Sequence, residues 1–318
     1  MKNFLSVKDV PSVDFMVEKA LSYKADPFKD EKLGHHKRIG LLFFNPSMRT
    51  RVSTQLAAKN LGMEAIVLNV GSEGWTLEFA EGAVMNGTSV EHIKDAAPIL
   101  GSYFDILAIR SFPKFLNRDD DQSEQVMKSF VQYAKVPVVS LESSTRHPLQ
   151  SLADIITIKE HFQEKRKPKV VLTWAPHIKA IPHCVANSFS EWVSAWEQAE
   201  FVIAHPKGYE LSPEFTRGAH IVHDQKEALE GADFVYVKNW SSFEPYGQVL
   251  GEYPEWMLRE KSFESVKNTK AKVMHCLPLR RNVELSDEIL DGPRSLLTKL
   301  AQNRVWSAQA VLSEVLRG

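Results

Sequence analysis

The sequence predicts an α/β fold of two domains, each a parallel sheet flanked by helices, and three observations lead there. Short apolar runs that read as buried strands alternate with segments whose apolar residues recur at helical spacing, which is the pattern of a parallel sheet covered on both faces. The alternation comes in two successive sets. A chain of 318 residues also exceeds one ordinary core and suits two domains of about 150 residues each.

Taken in order, Ser12 is placed to cap a first helix with Val13, Met16, Val17, Ala20 and Leu21 on one face, ended by Asp26-Pro27. An apolar run at 39–44, bounded by Arg38 and Asn45, is the first strand, and Val52, Leu56, Ala57 and Leu61 then mark a helix. Strands follow at 65–68, 106–109 and 136–139, with helices near 91–101 and 123–134. From Pro148 a helix carrying Leu152, Ile155, Ile156 and Ile158 leads from the first domain to the second. The second set has strands at 170–173, 201–204, 234–237 and 273–274 and a helix at 185–196. The final segment, 296–316, is helical through Leu297, Leu300, Val305, Ala308, Val311, Leu312 and Val315. No repeat or low-complexity segment interrupts the pattern.

Composition narrows the function classes. With 43% hydrophobic and 25% charged residues and a formal net charge of -1, nothing favours nucleic acid or an acidic membrane, so any anion site must be local. The charge run Lys165-Arg166-Lys167-Pro168-Lys169 has no interleaved aromatic and reads as a solvated turn. Two cysteines, Cys184 and Cys276, are too few for a disulfide framework. The N-terminus lacks the apolar core of a signal peptide, and no run approaches the roughly 20 apolar residues of a membrane span. The expected location is cytoplasmic.

The segment Phe43-Phe44-Asn45-Pro46-Ser47-Met48-Arg49-Thr50-Arg51 joins the first strand to the second helix and loads the junction with anion donors. Ser47 stands near a helix N-terminus, where free N–H groups and the helix dipole favour anions. Arg49 and Arg51 add guanidinium forks that suit phosphate oxygens, and the hydroxyls of Ser47 and Thr50 can complete the shell. The alternative is a capped surface helix with two solvated arginines.

Ser47-Met48-Arg49-Thr50-Arg51 resembles the carbamoyl-phosphate motif of the aspartate and ornithine carbamoyltransferases. Arg146-His147-Pro148-Leu149-Gln150, His275-Cys276-Leu277-Pro278 and Asn303-Arg304 match further family segments in the same order, so the resemblance covers essentially the whole chain. It implies the transcarbamylase fold, with a carbamoyl-phosphate domain at 1–148, an acceptor domain at 149–296 and a last helix, 297–318, packed back on the first domain. The phosphate would be held by Ser47, the Met48 backbone, Arg49, Thr50, Arg51 and Trp75. The carbamoyl oxygen would face Thr50, Arg110, His147 and Arg304, while Gln150, Cys276 and the Leu277 carbonyl complete the carbamoyl-phosphate set. Arg110, His147, Cys276 and Arg304 are the catalytic candidates. No metal or other cofactor is implied.

Between the second strand and Glu91 runs a long loop, Gly71-Ser72-Glu73-Gly74-Trp75-Thr76-Leu77-Glu78-Phe79, and loops of this length are often functional. The resemblance implies that it enters a neighbouring subunit's active site in a homotrimer with shared sites; the alternative has Trp75 capping its own core. The stretch Val237-Lys238-Asn239-Trp240-Ser241-Ser242 lacks the segment with which ornithine carbamoyltransferases hold a free α-amino group. It is similar instead to the enzymes for N-acylated ornithine, which implies acceptor roles for Glu142, His177, Lys179, Lys238 and Leu277. Val90 reports on the acyl group: this position is glutamate in acetylornithine enzymes and proline in succinylornithine enzymes. A valine removes a carboxylate that would repel a succinyl carboxylate. The expected reaction is carbamoyl transfer to N-succinyl-L-ornithine in arginine biosynthesis, with N-acetyl-L-ornithine and then ornithine as alternatives, and Val90 as a mere packing residue would leave acetylornithine open. Glu284 stands where the acetylornithine branch can carry a carboxylated lysine; it either supplies a similar charge or is exposed near a helix cap at Ser286. Competing classes are a thiol hydrolase using Cys276 with His275 or His147, a non-catalytic binder, and an assembly protein using the Trp75 loop.

Overall fold

The computed structural model describes residues 1–318 and divides into two compact units, Met1–Leu149 with Arg304–Gly318, and Gln150–Asn303. Unit 1 opens with α1 (Val13–Ala25), capped by the Ser12 side chain accepting from Phe15 N–H, and continues with β1 (Arg38–Phe43), α2 (Arg49–Asn60) and β2 (Glu64–Asn69). Short strands β3 (Leu77–Glu78) and β4 (Glu91–His92) lead to α3 (Ile93–Tyr103), β5 (Ile106–Arg110), α4 (Arg118–Gln122), α5 (Gln125–Tyr133) and β6 (Val138–Glu142). The central sheet is parallel in the order β2-β1-β5-β6. Leu42, Leu107 and Ile109 of the sheet form a buried cluster with Ile93 and Ala97 of α3 and Phe130 of α5.

The helix α6 (Pro148–His161) starts at the end of unit 1, and its Leu152, Ile155, Ile156 and Ile158 are fully buried. Unit 2 continues through β7 (Lys169–Trp174), α7 (Cys184–Trp196), β8 (Glu200–Ala204), β9 (His220–Val222), α8 (Gln225–Leu229) and β10 (Phe234–Lys238). Before α11 (Leu297–Arg317), which belongs to unit 1 from Arg304 onward, unit 2 adds α9 (Glu260–Ser265), β11 (Lys272–Met274) and α10 (Asp287–Asp291). Its sheet is also parallel, ordered β11-β10-β7-β8-β9. Phe189 of α7 stacks on Tyr236 of β10 at 4.2 Å between ring centroids. No helix is long and apolar enough to cross a membrane.

Four local expectations shift, each for a physical reason. The strand expected at 136–139 runs 138–142, because Pro137 has no N–H for a ladder and pairing starts after it. The helix expected at 91–101 starts at Ile93, since Glu91 and His92 pair with Leu77 and Glu78, and the His92 ring caps it by accepting from Lys94 N–H. The helix expected at 123–134 is broken at Glu124, which takes a left-handed φ of 56° while its carboxylate accepts from Ser143 Oγ and Thr145 N–H. On α2 the buried face is Thr50, Ser53, Thr54, Ala57 and Ala58, whereas the expected Val52 and Leu56 are exposed.

Candidate active site

In unit 1 the parallel sheet brings the carboxyl ends of β1, β5 and β6 to one edge, where open α/β sheets bind ligands. Asn45 Oδ1 accepts from Phe112 N–H at 2.7 Å, which ties the β1–α2 loop to the segment after β5. Arg49 is the first residue of α2, and Thr50 N–H donates to Ser47 Oγ at 3.3 Å, so the cap is formed by the serine rather than by Met48, which makes no side-chain cap. The Nε atoms of Arg49 and Arg51 are buried without a protein acceptor, while Arg51 Nη2 donates to Asn69 Oδ1 and its guanidinium lies 5.1 Å over the Phe43 ring. Both arginines are therefore partly buried at the helix N-terminus rather than fully solvated, a position where anions are favoured.

A register shift in the β5–β6 ladder sets Arg110 opposite Glu142. The two form a buried ion pair through Arg110 Nη1 and Glu142 Oε2, and Arg110 also stacks over Phe112 at 4.4 Å. Glu142 Oε2 lies 3.4 Å from His147 Nε2, and that nitrogen lies 3.4 Å from Arg304 Nη2, which donates to Thr50 Oγ1 at 2.6 Å. Five expected residues from four stretches of sequence thus form one continuous buried chain: Thr50, Arg304, His147, Glu142 and Arg110. Burial, with the charges of Arg304 and Arg110, holds His147 well below the usual histidine pKa, so the ring is neutral. Its Nδ1 is buried without a protein partner.

The long loop presents its aromatic outward. Trp75 is 56% exposed and its Nε1–H donates to Glu91 Oε2 at 2.7 Å, so it does not cap its own core. Val90 N–H donates to Thr76 O at 2.9 Å, which pins Val90 beside the Trp75 turn with its side chain 67% exposed. Val90 is therefore not a packing residue within the chain.

Unit 2 gathers the other candidates. His177 follows β7, and its Nδ1 lies 3.1 Å from the backbone nitrogen and 3.0 Å from the backbone oxygen of exposed Lys179, accepting from the first when unprotonated and donating to the second when protonated. Burial, outweighing the hydrogen bond to Lys179 O and the charge of Glu284, lowers the His177 pKa. Lys238, the last residue of β10, is buried. Glu284 is 1% exposed, which overturns the exposed alternative, and Ser286 makes no side-chain cap to α10. Burial pushes the Glu284 carboxyl up, but the hydrogen bond from His275, the charge of Lys238 and the Arg280 N–H together hold it below the usual carboxylate range. His275 Nδ1 accepts from Leu277 N–H at 2.8 Å, so the ring proton is on Nε2, 3.2 Å from Glu284 Oε2. Both ring nitrogens are thereby committed, and His275 is not free to act as base for Cys276. Leu277 takes a left-handed φ of 56°. Gln150 is fully buried and donates through Nε2 to Asp154 Oδ1 at 2.8 Å.

Sequence reasoning did not single out Asp154, which accepts from Gln150 four residues earlier on one helix, or Asn239, whose Nδ2 donates to Ala175 O at 2.6 Å and holds the end of β7 against β10.

Comparison with known proteins bears on this geometry. Residues 2–160 match the family model described as aspartate/ornithine carbamoyltransferase, carbamoyl-P binding domain, and residues 183–315 match the Asp/Orn binding domain of the same family. Over its full length the chain is 44% identical to the N-succinylornithine carbamoyltransferase of Bacteroides thetaiotaomicron, covering 99% of that protein. It is 36% identical to the N-acetylornithine carbamoyltransferase of Xanthomonas axonopodis pv. citri, with 98% of this chain and 96% of the relative covered. Among solved structures, a glutamate-to-valine variant of N-acetyl-L-ornithine transcarbamylase, complexed with carbamyl phosphate and N-succinyl-L-norvaline, superposes with a TM-score of 0.91 at 34% identity, covering 99% of this chain and all of the other.

Proposed function

This chain belongs to the aspartate/ornithine carbamoyltransferase family, and we propose that it transfers the carbamoyl group of carbamoyl phosphate to the δ-amine of N-succinyl-L-ornithine, giving N-succinyl-L-citrulline and phosphate, a step of arginine biosynthesis. The phosphate is held by Ser47, the Met48 N–H, Arg49, Thr50 and Arg51 at the start of α2, with Trp75 from the long loop. The carbamoyl oxygen takes donors from Thr50, Arg110, His147 and Arg304. The uncharged δ-amine attacks the carbamoyl carbon, charge builds on that oxygen, the C–O bond to phosphate breaks, and the amine gives up a proton. Donors already fixed where charge develops are worth on the order of 10²- to 10³-fold in rate each. Because His147 is held neutral by burial and its two arginine neighbours, it orients and polarises without carrying charge. Unit 1 is assigned carbamoyl phosphate and unit 2 the acceptor, through His177, Lys179 and Lys238.

One observation carries the succinyl assignment: Val90, uncharged and exposed, is pinned beside the Trp75 turn. The pair of residue types that distinguishes it from acetylornithine enzymes, valine for glutamate, is the same pair exchanged in the relative complexed with N-succinyl-L-norvaline. Val90→Glu tests it. The new carboxylate repels a succinyl carboxylate and leaves a neutral acetyl group untouched, so the ratio of kcat/KM values should move toward N-acetylornithine by about 10²-fold. An equal loss with both acceptors would show that Val90 does not read the acyl group and would remove this support.

The assembly proposed is a cytoplasmic homotrimer with shared sites. Met48, at the N-cap of α2, and Val52 and Leu56 on the helix recur every four residues and stay exposed, an apolar stripe that a second copy of the chain can cover. Trp75 projects outward, as a residue lent to a neighbour must. Both cysteines are buried and neither is in a disulfide, in keeping with a reducing compartment.

A further inference from the structure

Gln150 lies in the first turn of α6 with its carboxamide fully buried, and its Nε2 donates to Asp154 Oδ1, one helical turn along the same face. A carboxylate only accepts, so this bond settles which way the amide points: nitrogen toward Asp154, oxygen away. Gln150 Oε1 is buried and meets no donor in the protein, an arrangement folding disfavours unless a ligand supplies the donor. Asp154 is itself completely buried. Beside it stands Tyr236 of β10, which burial together with the nearby Asp154 and Cys276 pushes well above the ordinary tyrosine value, so its hydroxyl keeps its proton. Gln150 and Asp154 thus form a buried hydrogen-bonded pair, with Tyr236 and Cys276 near the carboxylate.

We propose that Asp154 is a positioning residue for the carbamoyl nitrogen: it holds the Gln150 carboxamide so that Oε1 accepts a hydrogen bond from the carbamoyl NH2. This rests on the carbamoyl-transfer reading above. Phosphate recognition has no need of an acceptor oxygen. A carbamoyl NH2 does, and it is the one group that separates carbamoyl phosphate from acetyl phosphate, whose methyl group donates nothing.

The test is the contrast between these two ligands, with acetyl phosphate as a competitive inhibitor. In Asp154→Asn the neighbour of Gln150 can donate or accept, the amide is no longer fixed, and the KM for carbamoyl phosphate should rise about tenfold while the Ki of acetyl phosphate stays within about twofold. The exchanged pair Gln150→Glu with Asp154→Asn restores the polarity, because the introduced asparagine amide donates to the introduced glutamate, whose other oxygen still accepts. Its KM should return to within about threefold of the wild-type value. A general structural defect would weaken both ligands together, and that result, or an exchanged pair no better than Asp154→Asn, overturns the assignment. If Asp154→Asn does not fold, the exchanged pair is read against Gln150→Leu. Discrimination kept by the pair and lost in Gln150→Leu supports the assignment, and loss in both overturns it. A wild-type chain without carbamoyl-phosphate turnover sinks the carbamoyl-transfer reading, and the assignment falls with it.

Discussion

Glu284 accepts a hydrogen bond from His275 in the interior of unit 2, and through that ring it reaches the backbone of Leu277, whose N–H the other imidazole nitrogen accepts. The second Glu284 oxygen accepts from Arg280 N–H at 2.9 Å. The carboxylate thus fixes both the His275 tautomer and the loop that carries Leu277 in its left-handed conformation. In Glu284→Gln one amide face must oppose a donor, either His275 Nε2–H or Arg280 N–H. Stability in urea should fall by about 1–2 kcal/mol, and kcat/KM for the acceptor should fall about tenfold. Unchanged stability with normal turnover would contradict the role.

Buried neutral histidines give the fold a pH dependence of known sign. Burial, partly opposed by the hydrogen bond to Ser241 O, lowers the His183 pKa to about 4. The unfolded chain binds that proton near pH 6.5, so its contribution is intact above that value and is lost as pH falls toward 4. Between about pH 7.5 and about pH 5 the site should remove about 2 kcal/mol of stability. His147, also buried and neutral, acts in the same direction. Denaturant titrations of wild type and His183→Gln at the two pH values measure the difference; parallel losses in both proteins would exclude a titrating His183.

Shared sites predict complementation. A Trp75→Ala chain keeps Arg110, an Arg110→Ala chain keeps Trp75, and each alone should be nearly inactive. Mixing equal amounts under subunit exchange should leave roughly a quarter of sites with both residues, and recover activity in proportion. Exchange shown by mass without recovered activity would count against a loop lent between subunits.

How much could be read in advance depended on whether the chemistry was local. The strand, Ser47 and the two arginines at the start of α2 are contiguous, so their donor character was visible in a single short stretch. The partners of Arg110 and His147 were not, because Glu142 meets them only after a register shift in the β5–β6 ladder. The apolar spacing of α2 was legible but not its direction: Val52 and Leu56 face outward, while Thr50 and Ser53 turn inward. Glu284 could not be assigned from sequence because its burial comes from packing that returns the chain to His275 nine residues earlier.

The most direct measurement is a turnover assay with carbamoyl phosphate and three acceptors: ornithine, N-acetyl-L-ornithine and N-succinyl-L-ornithine. The account predicts the highest kcat/KM with N-succinyl-L-ornithine, a value lower by about 10²-fold or more with ornithine, and N-acetyl-L-ornithine below the succinyl compound. Faster carbamoylation of ornithine or of N-acetyl-L-ornithine would contradict it.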